Sequence, residues 1–176
     1  MPFELIRHTD MAMSLWPNKA GRKADILSGQ GWLVGFAWLD ADAAFSDYRG
    51  HDRTITLIDG PGFVLRFPPG TPALDVAEPN RPRAFDGGWP THCAIRGPCL
   101  VLNAVTRRPR ISHSVAIDGA AAFAPAATTV AVVLDGEVAT PSGTAARLDA
   151  IVLRDGASVS SSAARMAVIR VSGAEA

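Results

Sequence analysis

Sixteen glycines and thirteen prolines are spread along 176 residues and cut the chain into short pieces, so that helix signals are scarce. Helix content below the roughly one-third of a typical globular protein is therefore expected, and the segments between the breaks read as strands. Trp32 to Leu39 is continuously apolar, Arg53 to Ile58 alternates, and Gly62 to Phe67 follows an Asp59-Gly60-Pro61 turn, a pair that reads as a hairpin. Pro98–Val105, Ile111–Ile117, Thr129–Leu134, Ala150–Leu153 and Met166–Val171 are further strands, each bounded by Gly, Asp or Pro. Short strands with a turn about every ten residues predict an all-β sandwich or barrel.

An internal repeat refines this. Arg53-Thr-Ile-Thr-Leu-Ile-Asp-Gly60 aligns with Thr129-Val-Ala-Val-Val-Leu-Asp-Gly136, each an apolar strand entering an Asp-Gly turn, 76 residues apart. A period that long in an all-β chain fits two small antiparallel β-barrels of the double-stranded β-helix type in tandem, a bicupin, rather than a solenoid. The expected division is residues 1–110 and 111–176, one compact unit with strands shared. Eleven of the twelve Phe, Trp and Tyr residues precede residue 90, whereas alanines crowd the second half. The first half is thus expected to bear the pocket.

Charge and composition narrow the partners. Apolar residues make up 48% and charged residues 19%, enough for a sizeable core and unlike a disordered chain. Seventeen basic and seventeen acidic residues leave no net field, so nucleic acid is not expected. The N-terminus shows no basic stretch followed by a long apolar one, and Trp32–Leu39 is too short to span a bilayer. A cytoplasmic protein without a membrane partner is expected, with Cys93 and Cys99 as reduced, buried thiols.

Catalytic signatures are missing. The four histidines, His8, His51, His92 and His113, form no His-x-His pair, and His92 and Cys93 are adjacent, so on a strand they point to opposite faces. No metal or other cofactor is expected. There is no Gly-x-Ser-x-Gly, and Gly87-Gly88 reads as a turn rather than a phosphate cradle.

Three segments carry more. Trp16-Pro17-Asn18-Lys19-Ala20-Gly21-Arg22-Lys23 reads as a loop, either closing a pocket or simply basic surface. In Phe45 to Arg53, Asp52 and Arg53 read as a local brace for a turn. In Gly97 to Arg108, Val101, Asn103, Val105 and Arg107 share one strand face, placing an amide and a guanidinium among valines. Asn103 then needs either core partners or a ligand.

In this order the segments resemble the HutD/Ves family of bacterial proteins. Trp16-Pro17-Asn18-Lys19-Ala20-Gly21, with Lys23 and Asp25, is similar to its Trp-Lys-Asn-Gly-Gly-Gly loop. Trp32-Leu33-Val34-Gly35-Phe36-Ala37 matches a Trp-Arg-x-Ser-x-Ala strand, and Phe45 to Arg53 keeps Phe-Ser-x-Phe-x-Gly-x-Asp-Arg nearly whole. Phe85-Asp86-Gly87 matches Phe-x-Gly, and Gly97 to Arg107 matches Gly-Pro-x-x-Asp-x-Asn-x-Met-x-Arg. The likeness covers about residues 5–110. It implies a bicupin lacking cupin metal ligands, which binds a small molecule and limits flux through a catabolic route such as histidine utilisation. Where the family carries Arg, Ser, Asp and Met, this chain has Leu33, Gly35, Val101 and Val105. Trp16, Asn18, Asn103 and Arg107 are kept, so the expected site joins these eight residues into a more apolar pocket for a small, carboxylate-bearing ligand. A metal-independent isomerase or hydrolase using Cys93 or a histidine is the competing reading, and a structural homodimer with a vestigial pocket is a third. A homodimer is expected in any case, because open sheets expose edges.

Overall fold

The Gly and Pro breaks do divide the chain into strands, and the chain is all-β. The computed structural model of the protein describes residues 1–173. Within them there is no α-helix, only one 3-10 turn at His8–Asp10, and no helix long and apolar enough to cross a membrane. Every strand pairing is antiparallel.

Two larger sheets organise the molecule. The first runs, in spatial order, Met13–Leu15, Gly21–Gly29, Trp32–Leu39, Cys99–Arg107, His51–Asp59 and Arg83–Asp86. The second runs Phe3–Ile6, Ala150–Leu153, Ala127–Asp135, Arg165–Ser172 and Ser112–Asp118. A four-stranded sheet of Ala43–Ala44, His92–Ile95, Phe63–Arg66 and Leu74–Val76 accompanies the first, and two two-stranded ribbons accompany the second. None of these sheets closes on itself.

The apolar pattern explains the layering. Along Trp32–Leu39, Val34 and Phe36 join a cluster shared with Val130, Val132 and Ile169 of the second sheet, whereas Ala37 and Leu39 join Ile55, Leu57, Phe63 and Leu65 inside the first half. Both faces of this strand are covered, which is why its sequence is apolar throughout rather than alternating. A third cluster, rich in Ala and Val, fills the second half around Val133, Ile151 and Met166. Its small side chains bring the ribbons close to the sheet.

The repeat is more than a likeness of sequence. His51–Asp59 and Ala127–Asp135 are both interior strands of their sheets, each with one extra residue bulged before the terminal Asp: Ile58 opposite Leu100 and Val101, and Leu134 opposite Met166 and Arg165. Both bulged side chains enter the inter-sheet cluster. Gly60 and Gly136 follow with φ of 105° and 74°, at corners where a Cβ would strike the backbone of Cys99 and of Ala164. A bulge and a glycine corner turn each strand sharply.

That corner corrects one expectation. Phe63–Arg66 does not form a hairpin with His51–Asp59; it crosses to the other sheet and pairs with His92–Ile95 and Leu74–Val76. The bulge twists the chain out of the first sheet before the turn, so the Asp59-Gly60 pair serves as a bend between sheets. A second correction concerns the Trp16 to Lys23 loop. Only the tip is a loop, with Lys19 at φ 58° and its N–H donating to Trp16 O at 2.9 Å, because Gly21–Gly29 is already a strand paired with Trp32–Leu39.

The strands of the first larger sheet lie between Met13 and Arg107 and those of the second between Ser112 and Ser172, apart from Phe3–Ile6, which pairs with Ala150–Leu153 in the second. Asp149 anchors this crossover. Its carboxylate, 2% exposed, accepts from Arg7 Nη1 at 2.8 Å and from the His8 and Ala146 N–H groups at 3.0 Å each. Burial alone raises the Asp149 pKa, but the hydrogen bonds from His8, Ala146 and Arg7 outweigh it and hold the pKa at about 2. His113 ties the halves at another point, its Nε2 within 2.8 Å of Thr54 Oγ1 and its Nδ1 within 2.7 Å of Thr106 Oγ1.

Candidate ligand-binding site

Alternation on neighbouring strands brings the site together. Arg53, Ile55 and Leu57 point to the same face of the first sheet, next to Val101, Asn103 and Val105 and then Leu33, Gly35 and Ala37. Ile55, Leu57, Val101 and Ala37 are core at one end of this face. At the other end the face opens into a cavity of about 130 Å³, lined by Trp16, Phe45 and Tyr48 on one side and by Leu33, Gly35, Asn103, Val105 and Arg53 on the other.

Arg53 is the unusual member. It is 6% exposed, and its Nε and Nη2 both donate to Asn103 Oδ1, at 3.1 and 2.9 Å. Its guanidinium lies 4.4 Å from the centre of the Phe45 ring, with Tyr48 at 5.7 Å and Phe85 at 5.5 Å. Aromatic faces offset part of the desolvation of a cation. Burial lowers the Arg53 pKa to about 10, with Tyr48 and Cys93 opposing that fall, so the group stays charged at neutral pH. Among the described residues no carboxylate pairs with it. Arg53 Nη1 makes no hydrogen bond to the described residues, and since Arg only donates, Asn103 must present its oxygen to Arg53 and its NH₂ elsewhere. The deep end of the cavity is therefore a set of donors around one uncompensated positive charge.

The outer end has the opposite sign available. Asp25, Gly35 and Asn103 stand on one rung of three adjacent strands. Gly35 has no side chain, so the floor between the Asp25 carboxylate and the Asn103 amide is bare, a span of roughly 10 Å at about 4.8 Å per strand. Asp25 is half-exposed and 3.5 Å from Lys23 Nζ. A Cβ at Gly35 would lie 2.8 Å from Ala24 O and 3.1 Å from Asp25 Cα, so the backbone of the bulged Gly21–Gly29 strand holds this position to glycine.

Five of the eight expected site residues line this cavity: Trp16, Leu33, Gly35, Asn103 and Val105. Trp16 meets Phe45 edge-on at 6.1 Å. Val101 is on the right face but fully buried in the core beneath. Asn18 is spent on its own turn, its Oδ1 accepting the Ala20 N–H at 3.0 Å. Arg107 has the right parity but lies beyond Thr106, the last residue opposite Trp32, and lines a separate cleft beside Gly31. The expected Asp52–Arg53 brace does not form: Asp52 pairs with Arg108 at 2.8 Å, and Arg53 turns inward. The signal for Arg53 was in the alternation itself, because within Arg53 to Ile58 it is the one charged residue, and it alternates in step with Ile55 and Leu57.

The two thiols are free and buried, and burial, with Cys99 and Asp42 adding to it, pushes the Cys93 pKa up to about 12. Among the described residues no three His, Cys, Asp or Glu side chains converge as a metal site would need.

A family model described as HutD matches residues 8–172. The chain belongs to the HutD family. This HutD-family chain is similar to HutD from Pseudomonas fluorescens SBW25, in a structure described as a formate condition, with a TM-score of 0.83 at 24% identity over 98% of this chain and 100% of that one. It is also similar to a conserved protein of unknown function, PA5104 of Pseudomonas aeruginosa PAO1, at 0.85 and 19% over 98% and 100%. A more distant likeness, 0.68 at 7% identity over 98% and 100%, is to the Escherichia coli pirin YhhW in complex with nickel(II). Among curated proteins, an uncharacterized 21.2 kDa protein in the hutC 3' region of Pseudomonas putida is 28% identical over 107 residues, 53% of this chain and 52% of that one. The HutD-family chain thus spans about half the length of the curated relative it matches.

Proposed function

We propose that this protein binds a small organic carboxylate in the Arg53–Asn103 cavity, as a sensor or limiter of a catabolic intermediate rather than as a catalyst. The observation that carries this is a buried guanidinium with no carboxylate partner among the described residues. An unpaired buried charge costs several kcal/mol, roughly, and a ligand carboxylate removes that cost while receiving charge-assisted hydrogen bonds. Phe45, Tyr48 and Trp16 suit a flat or apolar body, and Asp25 suits a ligand N–H at the outer end. The hutC neighbourhood named for the Pseudomonas putida relative agrees with an intermediate of histidine utilisation.

The two bulged strands and glycine corners, 76 residues apart, support a bicupin of two barrel-like halves, with the pocket in the first. A cytoplasmic homodimer belongs to the same reading. Met13 and Leu15, exposed on the edge strand Met13–Leu15, are where a second copy would cover apolar surface. The competing acid–base role for Cys93 gains no support, since a thiol with a pKa near 12 is neither nucleophile nor base at neutral pH.

A thermal-shift screen of small carboxylic acids, including imidazole-bearing ones, against their amides tests the proposal. Acids are expected to raise the melting temperature and amides not. Equal shifts from acid and amide would exclude recognition of a carboxylate.

A further inference from the structure

A second and larger cleft, of about 420 Å³, opens at the seam between the two halves and shares no lining residue with the Arg53 cavity. The Gln30-Gly31 turn of the first half, the Arg107–Arg110 connection and Gly173 of the second half form its walls. Among the described residues, eight of the fifteen arginines are in ion pairs with carboxylates. Arg108 is one of these, bound to Asp52 at 2.8 Å and Asp86 at 3.0 Å. Its neighbours Arg107 and Arg110 are exposed on the cleft, and among the described residues neither has a carboxylate or a side-chain hydrogen bond.

The backbone that presents these two guanidiniums is held. The Arg107 N–H donates to Gly31 O at 2.8 Å, the Arg108 N–H to Gly50 O at 2.9 Å and the Ile111 N–H to Arg107 O at 3.1 Å. The two ion pairs of Arg108 also hold the connection. Less freedom is then lost when a ligand orders the side chains, which is what separates a site from a basic surface. Trp32 adds a flat wall: its ring is buried between the sheets, yet it lines the cleft.

We propose that this seam cleft is a second ligand site, taking a compact organic dianion, a phosphomonoester or short dicarboxylate, between Arg107 and Arg110 and beside the Trp32 ring. A monoanion neutralises one guanidinium and leaves the other in water, whereas a dianion makes charge-assisted bonds to both. Because Gly31 and Gly173 belong to different halves, such a ligand also bridges them.

Two-dimensional ¹⁵N NMR of the whole protein tests this at constant ionic strength, following the Trp32 indole and the Gly31 and Gly173 amides. The probes are inorganic phosphate, succinate and acetate. Phosphate, succinate or both are expected to give saturating shifts at these three signals, and which of them does so identifies a phosphoryl or a dicarboxylate ligand. Arg107→Gln/Arg110→Gln is expected to weaken that binding at least tenfold with an unchanged melting temperature. The single Arg110→Gln gives the same reading in part if the double variant folds poorly. Shifts that never saturate, that acetate matches, or that survive both substitutions would overturn the proposal.

Discussion

Arg53 and Asn103 meet across adjacent strands, fifty residues apart in sequence, with two guanidinium nitrogens converging on a single amide oxygen at 2.9 and 3.1 Å. This is an economical way to hold a buried cation while leaving its charge unspent. An amide fixes the fork but neutralises nothing, and the remaining donors are left for whatever enters the cavity.

Replacing that amide with a carboxylate separates stability from function. Asn103→Asp supplies Arg53 with a counterion at the same place, so the ligand-free protein is expected to melt higher while carboxylate affinity falls at least tenfold. Asn103→Leu removes the acceptor and is expected to cost about 2–3 kcal/mol in urea unfolding. An Asn103→Asp variant that binds acids as tightly as wild type would contradict the role given to the free charge.

Gly35 is expected to resist refilling. Its Cβ would press on Ala24 O and Asp25 Cα, which are backbone atoms and cannot swing aside. Gly35→Ser is expected to lower stability by about 1–3 kcal/mol, measured by chemical denaturation, even though serine is the residue of the resembled motif. A stable Gly35→Ser protein would mean that the Gly21–Gly29 strand shifts more freely than its bulge suggests.

How far the sequence revealed this arrangement depends on the range of the interactions. The strands were legible because alternation and punctuation are local: Trp32–Leu39 and Ala150–Leu153 match the expected limits. Pairing was less legible, since the bulges at Ile58 and Leu134 that swing each chain into another sheet depend on register with distant strands. Arg107 and Arg53 show the same limit at the site. Parity chose the correct face for Arg107, but position along the face depends on where the neighbouring strand stops, and Trp32 stops short of Arg107; Arg53, read only as part of a turn brace, depends for its role on Asn103 of a strand fifty residues away. Asp149 gave no local sign of its task, because its partners Arg7 and His8 come from the far end of the chain.

Acid should release that N-terminal tie. The Asp149 pKa is about 2 when folded and near 3.8 when unfolded, so its contribution is complete above about pH 4 and is lost as pH falls toward 2. A pKa difference of this size corresponds to about 2 kcal/mol. Asp149→Asn is expected to be less stable at pH 7 and to show a shallower loss of stability between pH 4 and 2. Parallel pH profiles for the two proteins would argue against the assignment.

His113 should act with the same sign at higher pH. Burial lowers its pKa, with Asp52 opposing, so the unfolded imidazole takes up a proton first as pH drops below about 6.5. Stability is therefore expected to fall from pH 7.5 to pH 5.5, and His113→Gln to remove that slope. If the slope is the same without His113, the loss of stability arises from another group.

The central claim is that Arg53 takes a ligand carboxylate, and the Arg53 Nε–H resonance reports on it most directly, assigned by its disappearance in Arg53→Lys. Saturation with an acid found in the melting screen is expected to shift this signal, while the matching amide leaves it in place. An acid that binds tightly and raises the melting temperature without moving the Arg53 Nε–H signal would contradict the account.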